Sequence, residues 1–220
     1  MKQETQRRRS PFLRAVVGAV CVVVISYAIL TVGVLDAGYA VITRTNCLAK
    51  LMEAERAHPP DVEVVVNAIF SPDWVIAAEG AETAGRLAEA RMLPLSERDR
   101  ILSALFTVLS SGGHWWRLGW DRDEAEYERF LGAATSAMAR YGSQAYPYIR
   151  SGLDSGSARN RETACWVALN VFQSQSSLPE NARDELLAKV QQHAGIDSDQ
   201  AVRSACERAL NAVSEKSKRE

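Results

Sequence analysis

The stretch that decides the fold is residues 161–172, RETACWVALNVF, because residues 202–213, VRSACERALNAV, repeat its pattern about 41 positions later. The aligned positions that the two segments share are Ala164 with Ala205, Cys165 with Cys206, and Ala168-Leu169-Asn170 with Ala209-Leu210-Asn211. Small residues on one helical stripe let neighbouring helices approach to about 8–10 Å. A period of this size is typical of solenoids built from helix pairs, which bury their apolar faces by stacking.

Helical periodicity continues through the chain after His58-Pro59-Pro60, with short turn signals between segments. Helix starts are marked by Ser71-Pro72-Asp73, by Ser96 and by Pro179. No stretch alternates as a strand would. The predicted helices span 61–70, 73–92, 96–110, 122–141, 143–153, 158–174, 179–194 and 199–214. The predicted fold class is therefore all-α, an α-solenoid of about four antiparallel helix pairs.

The repeated unit resembles the HEAT and HEAT-like repeat families, in which two antiparallel helices form each unit. The resemblance is carried by Ala145-Tyr146-Pro147-Tyr148-Ile149 with Leu153, then by residues 161–169, and by the earlier turn at residues 71–75. It covers roughly residues 61–214 and is most specific in the last two units. The long connection from Ser110 to Asp121 departs from the family's pattern.

A membrane anchor is predicted before this domain. Residues 15–35, AVVGAVCVVVISYAILTVGVL, contain no charge, and as a helix they span roughly 30 Å, the thickness of a bilayer's hydrocarbon core. The run is longer than the roughly 7–15 apolar residues of a signal-peptide core, which favours retention. Cleavage stays open as an alternative, because Gly38 and Ala40 have the spacing that a signal peptidase accepts.

Flanking cations predict the orientation of this anchor. Five of them precede the span: Lys2, Arg7, Arg8, Arg9 and Arg14. Since Lys and Arg resist translocation, the N-terminus is expected in the cytoplasm and everything after Asp36 outside, which in a bacterium is the periplasm. The predicted organisation is a basic tail (1–14), a transmembrane helix (15–35), a juxtamembrane helix and linker (36–60), the helical-repeat domain (61–214) and a polar tail (215–220).

Composition argues against several function classes. The chain has 26 basic and 27 acidic residues, so it lacks the positive excess of a nucleic-acid-binding protein. No metal-ligand spacing, catalytic constellation or phosphate-binding loop is present in the sequence, so no metal, no cofactor and no enzymatic activity are expected. Cys165 and Cys206 are expected to stay unpaired, because equivalent positions on stacked helices should lie about 8–10 Å apart, beyond the roughly 7 Å limit for a disulfide.

Tryptophans supply the candidate binding residues. The segment 112–120 places Trp115, Trp116, Arg117 and Trp120 among glycines, and Trp and Arg are the residues enriched at interface hot spots. The alternative is that these rings fill a gap between units. Trp166 aligns with Glu207, a residue type that normally faces water, so Trp166 is expected to be an exposed aromatic unless it covers a seam.

The acidic run from Asp121 to Glu128 lacks the order of a calcium loop and is better explained as a solvated helix start. Together these features predict a membrane-tethered helical-repeat module that binds another protein, as an accessory subunit of a cell-envelope complex. Two alternatives stay open. One is a cell-wall glycan binder that uses the loop tryptophans, and the other is an enzyme of unrecognised type.

Overall fold

The computed structural model describes residues 41–90, 93–111, 124–174 and 178–217, and their regular structure is entirely helical. A short 3₁₀ turn, Gly142–Gln144, precedes α6. The helices are α1 (41–56), α2 (Val62–Ile69), α3 (Trp74–Glu89), α4 (Leu95–Ser111), α5 (Glu124–Arg140), α6 (Tyr146–Leu153), α7 (Ala158–Gln173), α8 (Glu180–Ile196) and α9 (Gln200–Ser217). The prediction of an all-α fold is confirmed.

One layer of the fold is a row formed by α3, α5, α7 and α9. Arg129, near the start of α5, pairs with Glu79 of α3 at 2.5 Å, and Arg140, at the end of α5, pairs with Glu89 at the end of α3 at 3.4 Å. The two helices therefore run parallel. The same register continues along the row, since the Asn170 amide of α7 donates to the Thr135 hydroxyl of α5 at 3.1 Å.

The second layer is formed by α2, α4, α6 and α8. The hydroxyl of Tyr148 in α6 donates to Asp99 of α4 at 2.8 Å, and Tyr146 donates to Glu185 of α8 at 2.5 Å. Consecutive helices of the two layers pack as the pairs α2/α3, α4/α5, α6/α7 and α8/α9. This arrangement is solenoid-like, and it follows from the period of about 41 residues.

Local sequence signals explain where the helices begin. Asp73 caps α3 by accepting from the Val75 amide at 2.9 Å, while the Ser71 hydroxyl accepts from the Asp73 amide at 3.2 Å. Ser157 likewise caps α7. These side chains satisfy amide groups that have no partner within a helix. The turn predicted at residues 71–73 is confirmed.

The core lies between the two layers, and small residues set how closely the helices approach. A Cβ added at Gly152 of α6 would meet Ala164 of α7 and Phe106 of α4, both at 2.8 Å. Ala164 and Ala168 are fully buried. Leu169 of the predicted stripe is only partly buried and packs against the core from its edge. The small residues predicted from the repeat are therefore buried, and Ala164 lies at the close contact between α6 and α7.

The helices from Cys47 onward belong to one compact unit. Among the described residues, no helix combines the length and the hydropathy that a membrane crossing requires. The predicted basic tail (1–14) and transmembrane helix (15–35) lie outside the described residues. Of the predicted juxtamembrane segment (36–60), the described part begins at residue 41 and forms α1.

Candidate functional site

A disulfide joins α7 and α9, and it shows that one prediction was wrong. Cys165 and Cys206, expected to be unpaired, are bonded with their Cα atoms 5.0 Å apart, and both are fully buried. The expectation used the distance between helix axes, whereas residues that face each other across a seam of small side chains lie much closer. The bonded cysteines lie opposite each other on α7 and α9, the second helices of two successive pairs.

Beside the disulfide, on the outer face of the same two helices, the guanidinium of Arg208 in α9 lies over the ring of Trp166 in α7. The Arg208 Cζ atom lies 5.2 Å from the centroid of the indole ring. Trp166 is half-buried and packs partly against the core, whereas Arg208 is exposed. The Asn170 amide fixes this turn of α7 by donating to the Trp166 carbonyl at 3.1 Å. The pair is a cation–π contact held on a rigid base.

Arg208 differs from the arginines of the rest of its layer. Each arginine of α3, α5 and α7 has a carboxylate partner, and these are Arg86, Arg129, Arg140, Arg159 and Arg161. In the described part of the chain, Arg208 has no carboxylate and no hydrogen-bond acceptor within reach, and its one contact of this kind is with the ring of Trp166. Its charge is therefore oriented by the protein without being neutralised by it.

A second cluster lies at the edge of the last two units. The carboxylate of Asp197 accepts from Arg161 at 2.7 and 2.9 Å and from His193 Nδ1 at 2.9 Å, and its side chain is 3% exposed. The hydrogen bonds and charge of Arg161 hold the pKa of Asp197 well below its ordinary value. Arg161 also donates to the carbonyls of Ser155 and Gly156. The cluster thus ties two inter-helix connections together.

These groups line an open cleft of about 450 Å³, together with Lys189 and Ile196. Lys189 pairs with Asp154 at 2.5 Å, so the charges of the cleft are already matched within the protein. The cause of the lowered pKa of Asp197 is a structural ion pair, and such pairs perturb pKa values without any catalytic role. The geometry of the cleft therefore favours a structural function for this cluster.

The other predicted site residues lie elsewhere in the chain. Trp115, Trp116, Arg117 and Trp120 are outside the described residues, whereas the acidic run is described from Glu124 onward, where it forms the start of α5. Within the described ranges, no three His, Cys, Asp or Glu side chains converge as a metal site would require. Of the predicted binding residues, Trp166 is the one that lies within the described residues. The sequence analysis missed its partner Arg208, which follows the aligned Glu207 by one residue.

Comparisons with known proteins do not add a function to this geometry. No family model, no curated protein and no solved structure matches the chain. The resemblance to HEAT repeats therefore stays an interpretation of the sequence pattern.

Proposed function

We propose that this chain is a membrane-tethered helical-repeat module that binds another protein outside the cytoplasm, as an accessory subunit of a cell-envelope complex. Its docking surface is the outer face of α7 and α9 around Trp166 and Arg208, here called the Trp–Arg face. The tryptophan loop at 115–120 stays a predicted second contact.

The location is supported by the disulfide between Cys165 and Cys206. Structural disulfides form and persist in oxidising compartments and are rare in the cytosol, where thiols are kept reduced. The positive charges that precede the apolar run at 15–35 point to the same side for the helical domain. Two independent features, one redox and one electrostatic, thus agree on an extracytoplasmic domain.

The observation that carries the binding proposal is the exposed guanidinium held on Trp166 without an anionic partner. Trp and Arg are the residue types that dominate binding energy at protein interfaces. A side chain already fixed in place loses less conformational entropy on binding than a mobile one. The Trp–Arg face therefore has both the composition and the rigidity of an interface hot spot.

The glycan-binding alternative needs a flat aromatic platform that is open to solvent. The ring of Trp166 is half-buried and has Arg208 stacked over it, so the described part of the surface favours a protein partner. That alternative now depends on the loop tryptophans alone.

The proposal can be tested with the full-length protein in its native membrane. A photo-crosslinking amino acid at Glu207, which is exposed beside Arg208, should give one discrete adduct after irradiation. The matched control is the same substitution at Ser103, an exposed position of α4 in the other layer, which should give no such adduct. Mass spectrometry of the adduct identifies the partner. Equal adducts at both positions, or none at Glu207, would refute the proposed docking surface.

A further inference from the structure

We infer that the Trp–Arg face is a carboxylate receptor, so the partner segment that docks there presents an Asp or Glu side chain to Arg208. This inference rests on the proposed function and adds the chemistry of the partner to it.

The first step concerns the donors of Arg208. A guanidinium has five N–H donors in its plane, and stacking on an aromatic ring occupies its face and leaves the in-plane donors available. No acceptor among the described residues takes them, and Arg208 is exposed. Two parallel N–H donors match the two oxygens of a carboxylate, which gives the strongest geometry that a single arginine can offer.

The second step concerns competing anions within the protein. On a helix, residues three and four positions apart are neighbours, whereas adjacent residues diverge. The neighbours of Arg208 on α9 are all uncharged: Ser204, Ala205, Asn211 and Ala212. Glu162, one turn before Trp166 on α7, is engaged by Arg159 at 2.9 Å. Within the described ranges, the positive charge of Arg208 is therefore left without an anion.

The third step distinguishes a carboxylate from a phosphate. Phosphate groups in proteins are typically held by clusters of cations or by several backbone amides. Arg208 is a single cation, and it lies in the middle of α9, where backbone amides are already bonded within the helix. One guanidinium is complementary in charge and shape to one carboxylate.

The fourth step concerns what surrounds the carboxylate. Leu169 lies three residues after Trp166 on the same face of α7 and is partly buried, so it leaves some apolar surface beside the pair. An acidic residue flanked by apolar residues would use this surface and the charge together. The occupant is thus an amphipathic acidic segment of a protein, and a bare anion would use only part of the site.

The test uses the full-length protein in nanodiscs of phosphatidylcholine, which carries no net charge. The probe is a dye-labelled nonapeptide of three Gly-Glu-Leu units with blocked termini, and its counterpart has Gln in place of Glu. Fluorescence polarisation should show saturable, salt-sensitive binding of the Glu peptide. Arg208→Gln should weaken that binding by about tenfold or more, the effect of losing a charge-assisted hydrogen bond. Arg183→Gln, which removes an exposed arginine from α8, is the matched control and should leave binding unchanged.

A second variant tests the contribution of the ring. Trp166→Leu keeps an apolar side chain against the core but removes the aromatic face, so Arg208 keeps its charge and loses its fixed position. We expect weaker binding than in the wild type at a temperature at which both proteins are fully folded. Equal binding by Trp166→Leu would show that the ring does not orient Arg208 for its ligand, and it would overturn the receptor geometry.

The outcomes separate this inference from the proposed function. If the crosslink at Glu207 forms but the Gln peptide binds as well as the Glu peptide, the partner docks there without a carboxylate and the inference falls alone. The same conclusion follows if Arg208→Gln binds normally, or if inorganic phosphate displaces the peptide better than acetate does at equal ionic strength. If the position-specific crosslink is missing, the docking surface itself is wrong.

Discussion

Reduction of the disulfide between Cys165 and Cys206 should remove a large part of the stability of the helical domain. The bond closes a loop with a sequence separation of 41 residues, and for a loop of that size the chain-entropy model gives about 4 kcal/mol. A typical domain is stable by only about 5–15 kcal/mol, so a loss of this size is easily measured. Both side chains are fully buried, which means that the cross-link can be removed without changing the surface.

The assay is urea unfolding of the full-length protein in detergent, followed by circular dichroism, with and without a reductant. Reduction keeps both sulfur atoms, so the difference between the two curves reports the cross-link alone. The double variant Cys165→Ala/Cys206→Ala adds the lost packing of the sulfurs and should be equally or somewhat less stable than the reduced protein. Cys47→Ala is the control, because Cys47 has no disulfide partner. This variant should respond to reductant as the wild type does.

The loss should be concentrated in the last helix pair. Only Leu186 and Val190 of α8 are buried, whereas most of the largest buried side chains belong to α2–α7. Hydrogen exchange should therefore show α8 and α9 losing protection first after reduction. A change in unfolding free energy below about 1 kcal/mol, or uniform loss of protection across α2–α9, would refute the reasoning.

Three further predictions follow from other parts of the chain. Gly152→Ala should destabilise the domain by about 1–3 kcal/mol in thermal unfolding because its Cβ meets two side chains at 2.8 Å, whereas Gly132→Ala, with no atom within 4 Å, should stabilise it by up to about 1 kcal/mol. Asp197→Asn should cost about 3 kcal/mol at pH 7, because Arg161, whose side chain is 13% exposed, loses its carboxylate partner. Because the pKa of Asp197 is lowered in the folded state, the advantage of the wild type begins to decline as the pH falls through about 4 and is lost only below the lowered pKa, so the gap between the two urea curves should narrow progressively on acidification. The apolar run at 15–35 should keep the protein in the membrane pellet after alkaline carbonate extraction, with an intact N-terminus, and release of a shortened chain would show cleavage instead.

Helical periodicity was enough to predict the type and order of the elements, but not their ends. The helix predicted at 143–153 begins at Tyr146, because Gly142 has a φ of 57° and starts a 3₁₀ turn. The helix predicted at 73–92 ends at Glu89, although no glycine or proline marks that point. Side-chain periodicity reports which face is buried, whereas termination depends on backbone conformations that most residue types can adopt.

The disulfide was missed for a different reason. The sequence placed Cys165 and Cys206 at equivalent positions, and in the structure the two residues face each other across α7 and α9. The error lay in treating an axis-to-axis distance as a Cα-to-Cα distance. The alanines beside each cysteine, Ala164 and Ala205, are fully or almost fully buried, and they are the signal that the two backbones approach closely. An alanine directly before the cysteine in both repeats is thus the sequence feature that indicates a close approach at this position.

The aligned positions that differ between the two repeats are the informative ones for function. Cys165 and Cys206 are identical because each must pack in the same seam, so identity there reports the fold. Trp166 and Glu207 differ, and at that position the seam imposes no common requirement. Their neighbour Arg208 meets Trp166 only because α7 and α9 run parallel at this register, a relation that no local pattern contains. In a stack of repeats, the residues that recur from unit to unit form the core. The residues that differ between units are therefore the better candidates for a binding surface.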